Sequence, residues 1–384
     1  MKDYELALYL LKCAVNSQKP KLPDDCDMDA LWQFCISQSI AATVAKPLLD
    51  HKLLTDEDQY QLWAEAYYKN LNKTLAFDTE RAIIEKKLDS LGIWHAPLKG
   101  IIFNKLYPFS GMREFADNDI LVEDGHRKEI SEMMEQMGYI SEKNKSSSKK
   151  DDCFYKEPFF NFEIHYGLFG PKIESEKFIN YYSDVSSMLR RCGDSRYSYR
   201  FSDEDFYVFS MVHAYKHYIY AGIGVRTFAD IYTFRRKIAL NEEYLRCQFK
   251  KLEIDLFADM VESISNKLFS AEHIFSTEVL TESESELLSD FINSGTYGTF
   301  QKSIESKYRN WKKDNGKGGR LRYFKSRLFP GVESLKETNP VVYRHKILYP
   351  AYLVYRPFRG IATNRKKLAE EIKTIAHIKK NKEK

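Results

Sequence analysis

Apolar residues recur at helical spacing near the start of the chain, as at Leu6, Tyr9, Leu10 and Cys13, and similar segments follow at residues 29–38 and 56–71. Helices are predicted there, the first two separated by Pro20, Pro23 and the acidic turn Asp24–Asp25. From about Phe77 the rhythm changes. Residues 78–91 read as a helix with Ile84, Leu88 and Leu91 on one stripe, and Gly92 supplies the stop. Residues 93–97 form a short strand that runs into Leu98-Lys99-Gly100. Residues 101–106 are a short helix ended by Tyr107-Pro108, because the residue before a proline is pushed out of the helical region. Residues 118–123 alternate as a strand. Asp124 opens a helix with Ile130, Met133, Met134 and Met137 on its inner face, and Gly138 closes it. Tyr139–Ile140 starts a strand, 141–152 is a polar loop, and 153–166 reads as two strands of a hairpin.

Beyond Glu174 the chain returns to helices, expected at 203–220, 226–240, 241–252, 254–268 and 283–294. Pro330, Pro340, Pro350 and Pro357 break the end into short pieces until a final helix near 364–379. The expected class is therefore α+β: a small mixed-sheet core flanked by N-terminal and C-terminal helical regions. The divisions expected are a helical region at 1–76, the α/β core at 77–172, a helical domain at 173–300 that closes over the core, and a basic extension at 301–384.

Composition narrows the class without choosing a function. Among 384 residues, 26 Tyr and 25 Phe argue against global disorder. No run approaches the ~18 uninterrupted apolar residues of a membrane-spanning helix. The N-terminal stretch reads as an amphipathic helix and not a secretion signal. Six scattered cysteines without a C-x-x-C pair fit reduced thiols in a cytoplasm better than disulfides or a zinc site. The net charge of +4 hides an asymmetry. From Gln301 to Lys384 there are 23 Lys and Arg against 7 Asp and Glu, so that stretch carries +16 and the rest −12. A basic end of this kind faces an anionic partner or is a solvated tail with basic helix faces. The polar loop with Ser146-Ser147-Ser148 between lysines reads as a solvated hairpin tip, with phosphate binding the alternative.

Candidate chemistry centres on Asp117-Asn118-Asp119-Ile120-Leu121-Val122. On a strand, Asp117 and Asp119 project to one face while Ile120 and Val122 pack on the other. Two adjacent carboxylates repel unless a cation neutralises them, and a divalent metal that also meets nucleotide phosphates is the usual solution. In Phe162-Glu163-Ile164-His165, Glu163 and His165 share one face, and an inward Glu163 needs something positive to meet it. A D-x-D alone is often just a turn or an exposed edge. The ordered arrangement of a Lys-Gly turn, the D-x-D strand and a carboxylate on a later strand carries the argument.

Leu98-Lys99-Gly100, Leu106-Tyr107, Arg113, Asp117 through Val122, Gly138-Tyr139 and Glu163-Ile164-His165 together resemble the uncharacterised nucleotidyltransferase family of the polymerase-β-like superfamily. The resemblance covers roughly residues 30–265, and Leu328-Phe329-Pro330 with Leu348-Tyr349-Pro350 is similar to its C-terminal part. It implies that Asp117 and Asp119 hold Mg2+ (or Mn2+), that Glu163 is the third acidic position, and that Gly100 lets backbone approach the triphosphate. Lys99 stands where much of the superfamily has a small Gly or Ser, and is a point cation for phosphate. Arg113 is a second phosphate candidate, with an ion pair to Glu114 or another neighbour as the alternative. Asn118 replaces an apolar residue between the aspartates, and the gap from Gly100 to Asp117 is long for the superfamily.

In the helical half, His213 and His217 lie four apart on one face, as do Arg226 and Asp230. These residues either line a cleft opposite the metals or form His–Asp and Arg–Asp links between helices; a zinc site lacks a further ligand at sensible spacing. Tyr343, Tyr349, Tyr352 and Tyr355 interleave with basic residues, a mixture that stacks on bases or packs in amphipathic helices; packing is the reading favoured. The activity implied by the resemblance is movement of a nucleoside monophosphate from an NTP to an acceptor, which is a small molecule, a protein or an RNA. The alternative is a non-catalytic partner-binding or regulatory protein on the same scaffold, favoured by Lys99 and Asn118 and opposed by the intact carboxylates.

Overall fold

Four helices precede the sheet: α1 (Asp3–Val15), α2 (Met28–Ser37), α3 (Ala41–Asp50) and α4 (Glu57–Leu91). The structure, a computed structural model, describes residues 2–141, 150–170 and 175–296, with separate stretches between 304 and 375. The Ser146–Ser148 tip lies outside the described residues, as does most of the helix expected over 364–379.

Helix α4 is one element of 35 residues, where the sequence predicts two helices with a break near residue 76. Asp56 caps its first turn by accepting from the Gln59 N–H at 2.9 Å, and Gly92 at φ +74° ends it in a left-handed conformation. Between them no Gly or Pro interrupts. Its buried stripe runs Trp63, Tyr67, Asn70, Thr74, Phe77, Arg81, Ile84 and Leu88, alternating steps of three and four. Polar Asn70, Thr74 and Arg81 sit on that stripe, which is why hydrophobicity alone suggests a break. The division expected at residue 76 therefore falls inside a continuous helix.

The sheet follows: β1 (His95–Pro97), α5 (Gly100–Asn104), β2 (Asn118–Val122), α6 (Arg127–Gln136), β3 (Ile140–Ser141), β4 (Asp151–Lys156) and β5 (Phe160–His165). The spatial order is β1-β2-β5-β4-β3, with β2 and β5 parallel at the centre and the other pairs antiparallel. Register sets Asp119 directly opposite Glu163. Side chains alternate across the strands. Ile120, Val122, Phe162 and Ile164 face one buried cluster with Phe77, Ile84, Leu88, Ile130 and Met134. Leu121 and Leu98 belong to a second cluster, built with the N-terminal helices and the helices after the sheet. The carboxylates share the face of Leu121.

After the sheet come α7 (Glu176–Tyr181), a hairpin of β6 (Leu189–Arg191) and β7 (Tyr199–Phe201), then α8 (Asp203–Tyr220), α9 (Arg226–Lys237), α10 (Glu242–Leu252), α11 (Asp255–Phe269) and α12 (Glu282–Ser294). Neither α3 nor the β6–β7 hairpin is foreseen from the sequence. The mixed sheet with flanking helices agrees with the α+β class expected.

The chain divides into two compact units, Met1–Tyr218 with Ile223–Thr296, and Ile219–Gly222 with Tyr297–Lys384. In the second, Ile304, Tyr308, Tyr323 and Ile375 form a small buried cluster. There Tyr343, Tyr349 and Tyr352 are half-buried, while Tyr355 is exposed. Among the described residues, no helix is long and apolar enough to cross a membrane.

Candidate active site

The segment leading into β2 is irregular, so its backbone groups need partners outside a ladder. Three helices supply them. From α4, Asn70 donates to the Gly111 carbonyl at 2.7 Å and Lys73 to the Phe115 carbonyl at 2.8 Å. From α3, Thr43 donates to the Met112 carbonyl at 2.6 Å, and the Ala42 N–H donates to the Glu114 carboxylate at 2.8 Å. From α9, Arg226 donates to the Glu114 carbonyl at 2.7 Å. Gly111 is where this segment touches α4. It sits at φ +80°, and a Cβ there would stand 2.6 Å from the Leu71 Cα, so Gly111→Ala meets both strain and a backbone clash. We expect that variant to lose about 2–4 kcal/mol of stability in urea unfolding, among the larger single-site effects.

Arg113 lies in this segment and is buried. Its guanidinium grips Asp230 of α9 twice, Nε to Oδ1 at 2.7 Å and Nη2 to Oδ2 at 2.8 Å, and Tyr107 donates to the same Oδ1 at 2.8 Å. The ion-pair partner is thus neither Glu114 nor a surface neighbour, and Asp230 pairs across the fold and not with Arg226 on its own helix. Arg113 Nη1 also crowds Gly100: a Cβ there would stand 3.0 Å from it.

Asp117 ends the segment, and Asp119 is the second residue of β2, whose residues are all buried. Asp119 is almost wholly buried and is met by two cationic or imidazole groups, Lys99 Nζ at 2.6 Å and His165 Nε2 at 2.6 Å. Glu163 lies 3.7 Å from the same His165 nitrogen. One ligand atom from each of Asp119, Glu163 and His165 falls within 4.8 Å of the others. Asp117 stands outside that close group but within reach of its charge. Burial, then repulsion from Asp119, raises the Asp117 carboxyl above its usual range. Burial, then repulsion from Asp119 and Asp117, pushes Glu163 up to about 7. Asp119 behaves oppositely. Burial works against its charge, but Lys99 and His165 outweigh it and hold this carboxyl well below the usual range.

Lys99 reaches Asp119 from an unusual backbone conformation, φ +44° and ψ −116°, just before α5. The Leu98 N–H donating to the Asp119 carbonyl at 3.0 Å fixes the turn beside β2. Burial opposes its charge, yet Asp119 and Asp117 keep the ammonium firmly protonated. Its nitrogen stands where a cation neutralises Asp119. The crowded carboxylates therefore fit a positive ion: two oxygen-bearing side chains suit Mg2+ or Mn2+, and an imidazole among the donors suits Mn2+ better than Mg2+.

Asn118 is buried on the opposite face, where its Oδ1 accepts from Arg81 of α4 at 2.9 Å. Its polarity serves that helix contact and leaves the carboxylate face untouched. Lys73, Asn70 and Arg81 were not foreseen in the sequence; the only signal is their place on or beside the three-and-four stripe of α4.

From α8, His213 and His217 face each other with Nε2 atoms 3.1 Å apart. They form no His–Asp link in the described residues. Burial, then Lys216 and Lys99, lowers His217 to about 3, and burial with His217 lowers His213. The folded chain keeps both neutral, while an unfolded histidine protonates near 6.5. The pair is neutral in both states above about pH 6.5, so it leaves stability unchanged there. Stability falls as pH drops from about 6.5 towards 3, because only the unfolded state gains the protons. Urea unfolding at pH 7 and pH 5 checks this, and His213→Gln with His217→Gln flattens the difference.

A parallel strand pair bearing carboxylates in register, with a Lys-Gly turn beside it and helices on both faces, is consistent with a nucleotidyltransferase core. The family model described as uncharacterised nucleotidyltransferase matches residues 24–270, and the chain belongs to that family. No curated protein and no solved structure matches the chain.

Proposed function

We propose that the chain moves a nucleoside monophosphate from an NTP to an acceptor, a small molecule, a protein or an RNA, with a divalent metal. The observation that carries this reading is the register pairing of Asp119 with Glu163 inside a nucleotidyltransferase-family match. Asp117, Asp119 and Glu163, with His165 beside them, would hold the ion. When bound, Mg2+ or Mn2+ neutralises charge between carboxylates and triphosphate. Asp119 sits inside the sheet, with β1 and the Leu98 turn on one side of its strand and β5 on the other. Lys99, now paired with Asp119, would offer its ammonium to a phosphate oxygen if a divalent ion took over the charge of that carboxylate. Arg226 and Lys73 hold the backbone before Asp117 and add positive charge beside it, since both act on that carboxyl or feel it. Positioning and charge neutralisation, not covalent chemistry by the protein, make up the mechanism. The net +16 of residues 301–384 supports an anionic partner or acceptor.

The alternative, a non-catalytic partner-binding protein, draws support from Lys99, which already neutralises Asp119. Incubation with each α-labelled NTP, Mg2+ or Mn2+ and a lysate of acceptors distinguishes them. Label from α-labelled but not γ-labelled NTP appears on an acceptor if the chain is a transferase. Label on none, with intact NTP binding, supports the alternative.

A further inference from the structure

We propose that His213 and His217 form a second divalent-metal site, distinct from the carboxylate centre, for a borderline ion such as Zn2+, Co2+ or Ni2+. The two residues are one helical turn apart on α8, so their imidazoles share a face. Their Nε2 atoms are 3.1 Å apart. Two nitrogens ~2.1 Å from one ion stand about 3.0 Å apart at a right angle and about 3.4 Å at the tetrahedral angle. The observed separation lies between these.

Ring orientation carries the argument further. A straight N–H···N hydrogen bond sets two imidazoles end to end, with ring centres well beyond the nitrogen separation. Here the centres are only 4.4 Å apart and the rings are inclined by 55°. The rings thus lie more side by side than end to end, a few tenths of an ångström closer than the centre separation of about 4.6–5.3 Å that one shared ion would set, and the ion would replace the hydrogen bond between them. Two imidazole nitrogens suit a borderline ion, whereas the carboxylates of Asp119 and Glu163 suit a hard one. The field at His217 is mixed: Lys216 and Lys99 oppose positive charge there, and Asp119 favours it. Two protein donors leave the remaining coordination positions to water or to a phosphate oxygen. The proposal does not depend on nucleotide transfer, and it stands or falls without an assay of turnover.

The test titrates Zn2+ into the full chain with Mg2+ in excess, following histidine ring nitrogens by long-range 1H–15N NMR. About one equivalent of Zn2+ should shift two Nε2 resonances that are lost in the His213→Gln, His217→Gln variant. That variant should bind Zn2+ at least about tenfold more weakly by chelator competition, whereas Asp119→Asn with Glu163→Gln should keep both shifts. The titration of the unaltered chain needs no variant to fold. If Zn2+ moves no pair of histidine nitrogens there, or if the double histidine variant binds Zn2+ undiminished, the site does not exist.

Discussion

Asp119→Asn is expected to lower nucleotide transfer by on the order of 10³-fold, about 4 kcal/mol of transition-state stabilisation, while the chain stays folded. The substitution keeps shape and a hydrogen-bond acceptor for His165, so the local packing survives. What disappears is the charge that Lys99 and His165 stabilise and that the metal needs. Glu163 feels this directly, because repulsion from Asp119 is the largest contribution after burial to its raised pKa. Its carboxyl should therefore titrate lower in the variant. Turnover with α-labelled NTP measures the first effect, and circular dichroism with urea unfolding measures the fold. An Asp119→Asn protein with full transfer activity would contradict the assignment of this residue.

Asp230→Ala is expected to cost about 3–5 kcal/mol in urea unfolding, because it strands a buried guanidinium. Arg113 gives Asp230 two hydrogen bonds and Tyr107 gives a third, all within the buried interior. Removing the carboxylate leaves three donors without acceptor. The same loss loosens the 111–118 segment where α9 holds it, so metal affinity should fall as well. Replacing Arg113 and Asp230 together by Met and Leu should recover much of the stability, because breaking one side of such a pair costs more than removing both. A phosphate role for Arg113 gives a different pattern: Asp230→Ala would leave stability nearly unchanged and alter only the KM for NTP.

Local pattern made the central strands legible. Asp117, Asp119, Glu163 and His165 are close in sequence to the turns and alternations that place them, and two neighbouring strands need only pair in register to unite them. Gly92 and Gly138 likewise end helices by their own backbone freedom. Two kinds of feature were hidden. Arg113 finds Asp230 117 residues away, a pairing that no window of sequence contains. The continuity of α4 was hidden because polar residues occupy core-facing positions: Asn70 holds the site segment, Arg81 holds Asn118, and Thr74 bonds the Asn70 carbonyl of its own helix. Polar residues on that stripe mimic a break in periodicity while serving the carboxylates beyond it.

Binding of Mn2+ with a non-hydrolysable NTP, followed by electron paramagnetic resonance, tests most directly whether these acidic side chains share a cation. The chain should bind Mn2+ more tightly when nucleotide is present, and Asp117→Asn with Asp119→Asn should abolish that binding with the fold intact. Undiminished Mn2+ and nucleotide binding by the folded double variant would contradict the account.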